Sequence, residues 1–315
     1  MESINKDKKT KIIITGGLGF IFSHVAEHFM KKGFEVHIID NESAGSNPKL
    51  ILEWYKNFKG LFWYSNHDVS YQSVIPIIKN INPEYIIHAA AISDVDYSIK
   101  NPVKTIIANN NATINVFEAA RDCKNLKKLL YVSTDEVYGE CEHLKKEEDI
   151  IFPKNPYSLS KAFGSLLRIT YDNTYPELRD KTCETRFCNV FGSRQDSRKV
   201  LPAIKKALNG GDPIKLHNDG EGYREYINVH LIPYIVELIL DKGTRTYNIT
   251  NNEGYTVNEL IALAEKITGK KAPVIKGKRS GMDMKYQMSN ERFCTEFGWT
   301  PHESFEDALK LYLTS

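Results

Sequence analysis

Residues 11–40, KIIITGGLGFIFSHVAEHFMKKGFEVHIID, decide the fold. Lys11-Ile12-Ile13-Ile14-Thr15 is a short apolar strand, which Gly16-Gly17-Leu18-Gly19-Phe20 turns into a helix running to about Lys32. A second strand, Glu35 to Ile39, ends on Asp40. Gly16 and Gly19 let the backbone approach a pyrophosphate, whose charge is favoured by the unpaired N–H groups and dipole at the helix start. An acid about 20 residues further on is placed to bind a ribose 2′-hydroxyl. A carboxylate at Asp40 would repel a 2′-phosphate, so the pattern favours NAD over NADP. Phe22 stands where a third glycine usually lets helix and sheet pack closely. Either the helix sits farther out or the ring turns sideways.

The alternation continues outward from this unit. A third strand, Leu61 to Ser65, precedes His67-Asp68-Val69, and a fourth, Glu84 to His88, precedes Ala89-Ala90-Ala91, three small residues that allow close approach of a cofactor. A helix from Pro102 to Arg121, an apolar strand from Leu129 to Thr134, a helix from Pro156 to Tyr171 and a strand from Cys183 to Phe187 follow. Repeated βα units predict an α/β fold with a doubly wound parallel sheet of the Rossmann type. Beyond Asn189 the pattern loosens into short strands near Ile214 to His217 and Thr246 to Ile249. Helices are expected there near 201–208, 231–240, 257–267 and 305–313. The expected organisation is a nucleotide-binding domain over 1–188 and a smaller α/β substrate lobe over 189–315, with the chain free to cross between them more than once.

With 42 basic and 40 acidic residues in 315, the net charge of +2 gives no strong field for nucleic acid or an anionic membrane. Neither an apolar segment after the charged N-terminal stretch nor a run of 18 apolar residues occurs, so a cytoplasmic protein is expected. Cysteines 123, 141, 183, 188 and 294 form no CxxC and are odd in number, as for reduced thiols. His24 and His28 are i, i+4 but lack the His-Glu-x-x-His order, so no metal is expected. The basic run from Lys270 to Arg279 reads as a solvated face, and Trp54, Tyr55, Phe58, Phe62 and Trp63 as core or lid.

The chemistry concentrates at two places. The apolar strand 129–134 stops on Ser133, Thr134 and the adjacent acids Asp135 and Glu136, and open α/β sheets bind ligands just outside the carboxyl ends of their strands. Tyr157 and Lys161 lie four apart on the next helix and share a face. A tyrosine ordinarily titrates near ~10 and needs positive charge to act as a base. Lys161 and a nicotinamide cation would supply it, and the tyrosinate could take a proton from a sugar hydroxyl while its carbon is oxidised.

Together these residues resemble the extended short-chain dehydrogenase/reductases that act on nucleotide sugars, from about Lys11 to Leu313. Ser-Thr-Asp-Glu-Val-Tyr-Gly at 133–139 is similar to the 4,6-dehydratase signature; 4-epimerases and 4-reductases usually lack the Asp-Glu pair. The resemblance implies oxidation at C4 of a hexose, removal of the C5 proton, loss of the C6 hydroxyl as water and return of the electrons to C6. It assigns Asp135 as the acid, Glu136 as the C5 base, Thr134 as the partner of the C4 oxygen and Tyr157 as the oxidation base, with Lys161 beside it. It implies NAD contacts at Gly16, Gly19, Phe20, Ile21, Asp40, Asp68, Val69, Ala89, Ala90, Ala91, Asn109, Ser133, Tyr157 and Lys161. Nucleotide-sugar contacts are implied at Ser93, Asn189, Lys199, Arg224, Asn248, Arg279 and Asp283. Leu231, Ser280 and Met282 depart from the family's pattern.

Phe-Ile-Phe-Ser-His-Val, Thr-Arg-Phe-Cys-Asn-Val-Phe-Gly and His-Asn-Asp-Gly resemble the UDP-glucose enzymes that begin rhamnose synthesis, so UDP-glucose is the expected substrate. The alternatives are dTDP-glucose, a 4-epimerase or decarboxylase on the same scaffold, and a non-catalytic NAD-binding sensor or scaffold. The resemblance also implies a homodimer formed through two sheet-flanking helices. Neighbours on an extended strand face opposite ways, so Asp135 and Glu136 can serve one sugar only if the chain turns at Thr134.

Overall fold

Ile12, Ile13 and Ile14 are all fully buried, because the strand they form, β1 (Lys11–Thr15), lies inside a parallel sheet covered by helices on both faces. That coverage is why the strand is a continuous apolar run rather than an alternating one. Each such side chain contributes roughly 1.5–3 kcal/mol on burial. The computed structural model describes residues 9–43, 47–277, 284–300 and 303–314. Arg279, Ser280, Met282 and Asp283 lie outside them.

Among the described residues the strands after β1 are β2 (Glu35–Asp40), β3 (Phe62–Asn66), β4 (Tyr85–His88), β5 (Lys128–Thr134), β6 (Thr182–Phe187), β7 (Asn189–Phe191), β8 (Ile214–Leu216), β9 (Tyr223–Asn228), β10 (Thr246–Ile249), β11 (Gly254–Thr256) and β12 (Val274–Lys276). The helices are α1 (Phe20–Lys31), α2 (Pro48–Tyr55), α3 (Val74–Ile81), α4 (Val95–Lys100), α5 (Pro102–Arg121), α6 (Pro156–Thr174), α7 (Val200–Leu208), α8 (Ile232–Lys242), α9 (Val257–Thr268), α10 (Glu291–Phe297) and α11 (Phe305–Thr314). The seven-stranded sheet has the order β10-β6-β5-β4-β1-β2-β3 and is parallel throughout. Its order reverses direction between β4, β1 and β2, the kind of switch point at which doubly wound sheets bind nucleotides.

One core cluster joins α1 and α8 to the sheet, and the other joins α3 and α5 to it. Phe22 turns inward and is buried in the same cluster as Val25, Phe29 and Ile38. On the opposite face α6 lies so close to β5 that a Cβ on Gly164 would fall 2.1 Å from the Tyr131 hydroxyl.

The second lobe holds the three-stranded sheet β11-β9-β7 and the pair β12-β8, packed on α7, α9 and α11 around Phe191, Leu260 and Phe305. The chain does not stay there. It returns to place α8 against α1 and β10 on the edge of the large sheet, paired with β6 from Thr246↔Glu184 to Ile249↔Phe187. The chain therefore crosses between the lobes, and residues 232–249 pack with the nucleotide-binding sheet. No helix among the described residues is long and apolar enough to cross a membrane.

Candidate active site

β5 is buried along its whole length and ends at the centre of the sheet's carboxyl edge. Thr134, still extended at φ −144° and ψ 156°, caps a 3-10 helix over Asp135–Tyr138. Its Oγ1 donates to Asp135 Oδ1 at 2.9 Å and accepts from the Glu136 N–H at 3.4 Å. The chain thus turns at Thr134. With about three residues per turn, consecutive side chains in such a helix are no longer held on opposite faces. Gly139 closes the turn at φ +68°, and a Cβ there would lie 2.3 Å from the Phe152 carbonyl oxygen.

The two acids sit in different surroundings. Asp135 is 6% exposed, and burial followed by the charge of Glu136 pushes its carboxyl up to about 7, against the opposing pull of Thr134 and the Arg224 guanidinium. Glu136 is half-buried, and its Oε2 accepts from Asn155 Nδ2 at 2.8 Å. Asn155 is also the N-cap of α6: its Oδ1 accepts from the Ser158 N–H at 2.8 Å, and Ser158 Oγ lies 3.2 Å from the Asn155 N–H to complete a capping box.

Two turns of α6 carry Tyr157 and Lys161 into the interior. Burial, then the charges of Glu136 and Asp135, raise the Tyr157 hydroxyl well above its ordinary value, with Thr134 opposing. Burial lowers the Lys161 ammonium to about 8, with Glu184 opposing. Lys161 Nζ donates to the Val132 carbonyl at 2.7 Å. The chain's own groups thus keep the Tyr157 hydroxyl protonated, and the positive charge expected to ionise it would have to include that of a nicotinamide cation.

Behind the turn lies a buried polar frame. Tyr138 accepts from Arg186 Nη1 at 2.7 Å and donates to Asn248 Oδ1 at 2.8 Å. Arg186 Nε donates to Glu184 Oε1 at 2.9 Å, Ser165 Oγ donates to the same oxygen at 2.6 Å, and Arg168 Nε lies 3.6 Å from Glu184 Oε2. Burial pushes the Glu184 carboxyl up, but Arg186 and Arg168 outweigh it and the net shift is downward.

The crevice at the switch point is lined by the glycine turn. Gly16 has φ +73°, and a Cβ on it would lie 2.8 Å from the Ala90 N. Asp40 Oδ2 accepts from the Leu18 N–H at 3.0 Å and Oδ1 from the Glu42 N–H at 2.8 Å, which ties the turn to the end of β2. Thr15 Oγ1 accepts from the N–H groups of Ala89 and Ala90, each at 3.2 Å. Asp68 accepts from the Ser70 N–H and Asn41 Nδ2, and the Val69 carbonyl accepts from Asn115 Nδ2. Phe20 and Ile21 are half-buried at the start of α1. Ser133 Oγ is buried with no hydrogen-bond partner among the described residues.

The profile of the GDP-mannose 4,6 dehydratase family matches residues 13–311. The chain belongs to that family. It is 29% identical over 311 residues to the low-salt glycan biosynthesis protein Agl12 of Haloferax volcanii, covering 95% of this chain and 96% of that protein. It is 27% identical to the dTDP-glucose 4,6-dehydratase of Salmonella typhimurium, over 95% and 91% of the two chains. The trifunctional UDP-glucose 4,6-dehydratase/3,5-epimerase/4-keto-reductase RHM2 of Arabidopsis thaliana is also 27% identical, over 96% of this chain but only 46% of its own length. Among solved structures, DesIV, a dTDP-glucose 4,6-dehydratase of Streptomyces venezuelae with NAD and TYD bound, superposes with a TM-score of 0.89 at 26% identity, over 97% and 96% of the chains. The Thermus thermophilus UDP-glucose 4-epimerase with NAD gives 0.87, also at 26% identity, over 97% and 98%.

Within this GDP-mannose 4,6 dehydratase family member, the expected residues separate into two groups. The turn, the acid pair, Tyr157 and Lys161 cluster at the ends of β5 and α6, and Arg224, stacked 4.3 Å from the Tyr286 ring centroid, is close enough to influence Asp135. Ser93, Asn189 and Lys199 are exposed, and Ala91 is half-buried. Two of the expected residues have their side chains engaged within the chain. Asn248 is fully buried in the frame behind the site, donating to the Lys145 carbonyl as well as accepting from Tyr138. Asn109 has its amide occupied by the Ile92 backbone and Ser160 Oγ, so it fixes the loop after β4 against α6.

Asn155, Glu184, Arg186 and Glu225 were not expected. Glu225 is buried beside Arg224, accepts from the Met288 N–H at 2.9 Å, and is pushed up to about 7 by burial. Asn155-Pro156 is a recognisable helix start, but its second bond, to Glu136, has no sequence signal.

Proposed function

We propose that this chain catalyses the NAD-dependent 4,6-dehydration of UDP-glucose to UDP-4-keto-6-deoxy-glucose. The observation that carries the proposal is the acid pair on a turned 3-10 helix, one carboxyl buried and pushed up to about 7, the other half-buried and hydrogen-bonded to an amide donor. Dehydration needs an acid and a base on one sugar, and groups whose surroundings separate their protonation states can supply both. The residues present fit NAD: the turn at Gly16 has no room for a side chain, Asp40 orders the turn, and the buried Ser133 Oγ is left to be satisfied. Gly16, Gly19, Phe20, Ile21, Asp40, Asp68, Val69, Ala89–Ala91, Ser133, Tyr157 and Lys161 would hold it. Bound NAD would supply a positively charged ring and a two-electron acceptor for C4, returning the same pair at C6 so that it is not consumed.

The chain's own groups then act in order. Tyr157, protonated in the chain by itself, would act as a tyrosinate once the positive charge of bound NAD is added, and would then accept the proton of the C4 hydroxyl, with Thr134 holding the C4 oxygen. Glu136 takes the C5 proton, which the adjacent ketone has made acidic. Asp135 gives its proton to the C6 hydroxyl, which leaves as water, and Glu136 returns its proton to C5 as the electron pair is delivered to C6. Arg224, Asn189, Lys199, Ser93, Arg279 and Asp283 are assigned to the nucleotide diphosphate, where guanidinium can pair two phosphate oxygens. The product, a 4-keto-6-deoxy sugar, stands early on a route to rhamnose or another deoxysugar.

UDP is preferred on the stretches at Phe20–Val25, Thr185–Gly192 and His217–Gly220. A second reading, dTDP-glucose, is favoured by the likeness to the Salmonella and Streptomyces enzymes. Incubation with each nucleotide sugar and measurement of the 4-keto-6-deoxy product decides between them; no product from either overturns the dehydratase assignment. A homodimer is proposed through α5 and α6, which pack together and expose Val103, Ile107, Leu159 and Leu166. A monomeric mass by light scattering would overturn it.

A further inference from the structure

Asn155 touches both halves of the chemistry with one side chain. The Ser158 N–H can only donate, so the Asn155 oxygen must face it and the amide nitrogen must face Glu136. The orientation is therefore set by the helix cap. Asn155 is itself buried, and α6 begins with Pro156 and Tyr157 immediately after it. Glu136 and the start of the helix that carries Tyr157 and Lys161 are consequently joined through a single amide. A cap alone does not call for asparagine, since aspartate and serine cap about equally well. What asparagine adds over either is an N–H aimed at a carboxylate. A donor to the charged form of a carboxyl favours that form.

We infer that Asn155 is a positioning residue that keeps Glu136 ionised and aimed, and locks it in register with Tyr157, so that the residue accepting the C4 hydroxyl proton and the residue accepting the C5 proton move as one unit. The inference rests on the dehydratase assignment for its kinetic consequence but not for its electrostatic one. Two variants separate this role from capping. Asn155→Ser retains a cap and loses the reach to Glu136; Asn155→Asp retains a cap and replaces the donor with a negative charge.

The test measures three quantities on the full-length protein: thermal stability, the pH profile of 4-keto-6-deoxy product formation, and the titration of Glu136 followed by carbon-13 NMR of labelled glutamate, assigned with Glu136→Gln. The expected result is a melting temperature close to that of the unaltered protein, turnover lower by about tenfold or more, KM little changed, and the acid limb of the profile moved to higher pH, further for Asn155→Asp than for Asn155→Ser. The Glu136 titration moves the same way. Unaltered turnover and titration in both variants would overturn the inference, as would activity lost only in proportion to stability. If the unaltered protein forms no product, the dehydratase assignment fails on its own. The Glu136 titration then still decides: an unmoved titration overturns the inference, and an upward shift supports it.

Discussion

The Arg186 guanidinium donates to the Tyr138 hydroxyl across 2.7 Å, joining the interior of β6 to the last residue of the turn that holds the acid pair. Glu184 is fully buried and carries the compensating charge. Removing it in Glu184→Gln leaves Arg186 and Arg168 without a counter-charge, and the loss is expected to be about 3–5 kcal/mol. Tyr138→Phe keeps the ion pair and loses only a hydroxyl, for roughly 1–3 kcal/mol. Denaturant midpoints should rank the unaltered protein above Tyr138→Phe and that above Glu184→Gln; the reverse order would show that the frame is not organised around Glu184.

Glu136→Gln should separate the two halves of the reaction. Tyr157 and Thr134 are untouched, so oxidation at C4 proceeds and reduced nicotinamide accumulates on the protein. The C5 proton has no acceptor, and release of 4-keto-6-deoxy product should fall by at least ~100-fold, within the range a positioned base contributes. Absorbance of the reduced cofactor and product analysis after a single turnover check this. Normal product release would remove Glu136 from the role.

As the proposed acid, Asp135 should give the reaction its alkaline limit. Its carboxyl is pushed up to about 7, so the protonated acid is depleted as pH rises through that value, and dehydration should decline there. The effect on stability has the same direction. Between the ordinary carboxyl value and about 7 the folded chain holds a proton that the unfolded chain has lost, so this contribution is complete at acid pH and is lost as pH rises through about 7. Asp135→Asn should abolish dehydration and flatten the fall in stability between mildly acid and mildly alkaline pH. Melting temperatures across that window provide the measurement.

Asp40→Ala would remove the carboxylate that ties the Leu18 and Glu42 N–H groups to the end of β2, together with the charge that opposes a 2′-phosphate. Retention of NAD should weaken by about tenfold or more, and the preference over NADP should narrow. Fluorescence titration with both dinucleotides checks the ratio. An unchanged ratio would mean that Asp40 only orders the turn.

The glycine turn, the strand ending on Asp40 and the acid pair after Thr134 were legible because each depends on local chain chemistry. The turn at Thr134 could be stated as a geometric need and is met by the 3-10 helix. The frame was not legible. Glu184 and Arg186 are two apart on β6, which in a linear chain looks like one solvated face of a strand, and only the packing of α6 and β10 on either side shows that face to be buried. The surroundings of Asn248 were not legible for the same reason, since family position does not reveal whether an amide points to ligand or to core. Phe22 shows the converse: a bulky residue at a position usually small is accommodated by turning into the core.

The place of β10 has a consequence for how the protein is made. The nucleotide-binding sheet takes its last edge strand from residues 246–249, after the chain has already built β7 and β9 of the other lobe. During synthesis the sheet cannot be completed until Ile249 has emerged, so the strands up to β6 wait with the edge of β6 uncovered. Its maturation is tied to a contact of long sequence separation, which slows folding and makes the two lobes succeed or fail together.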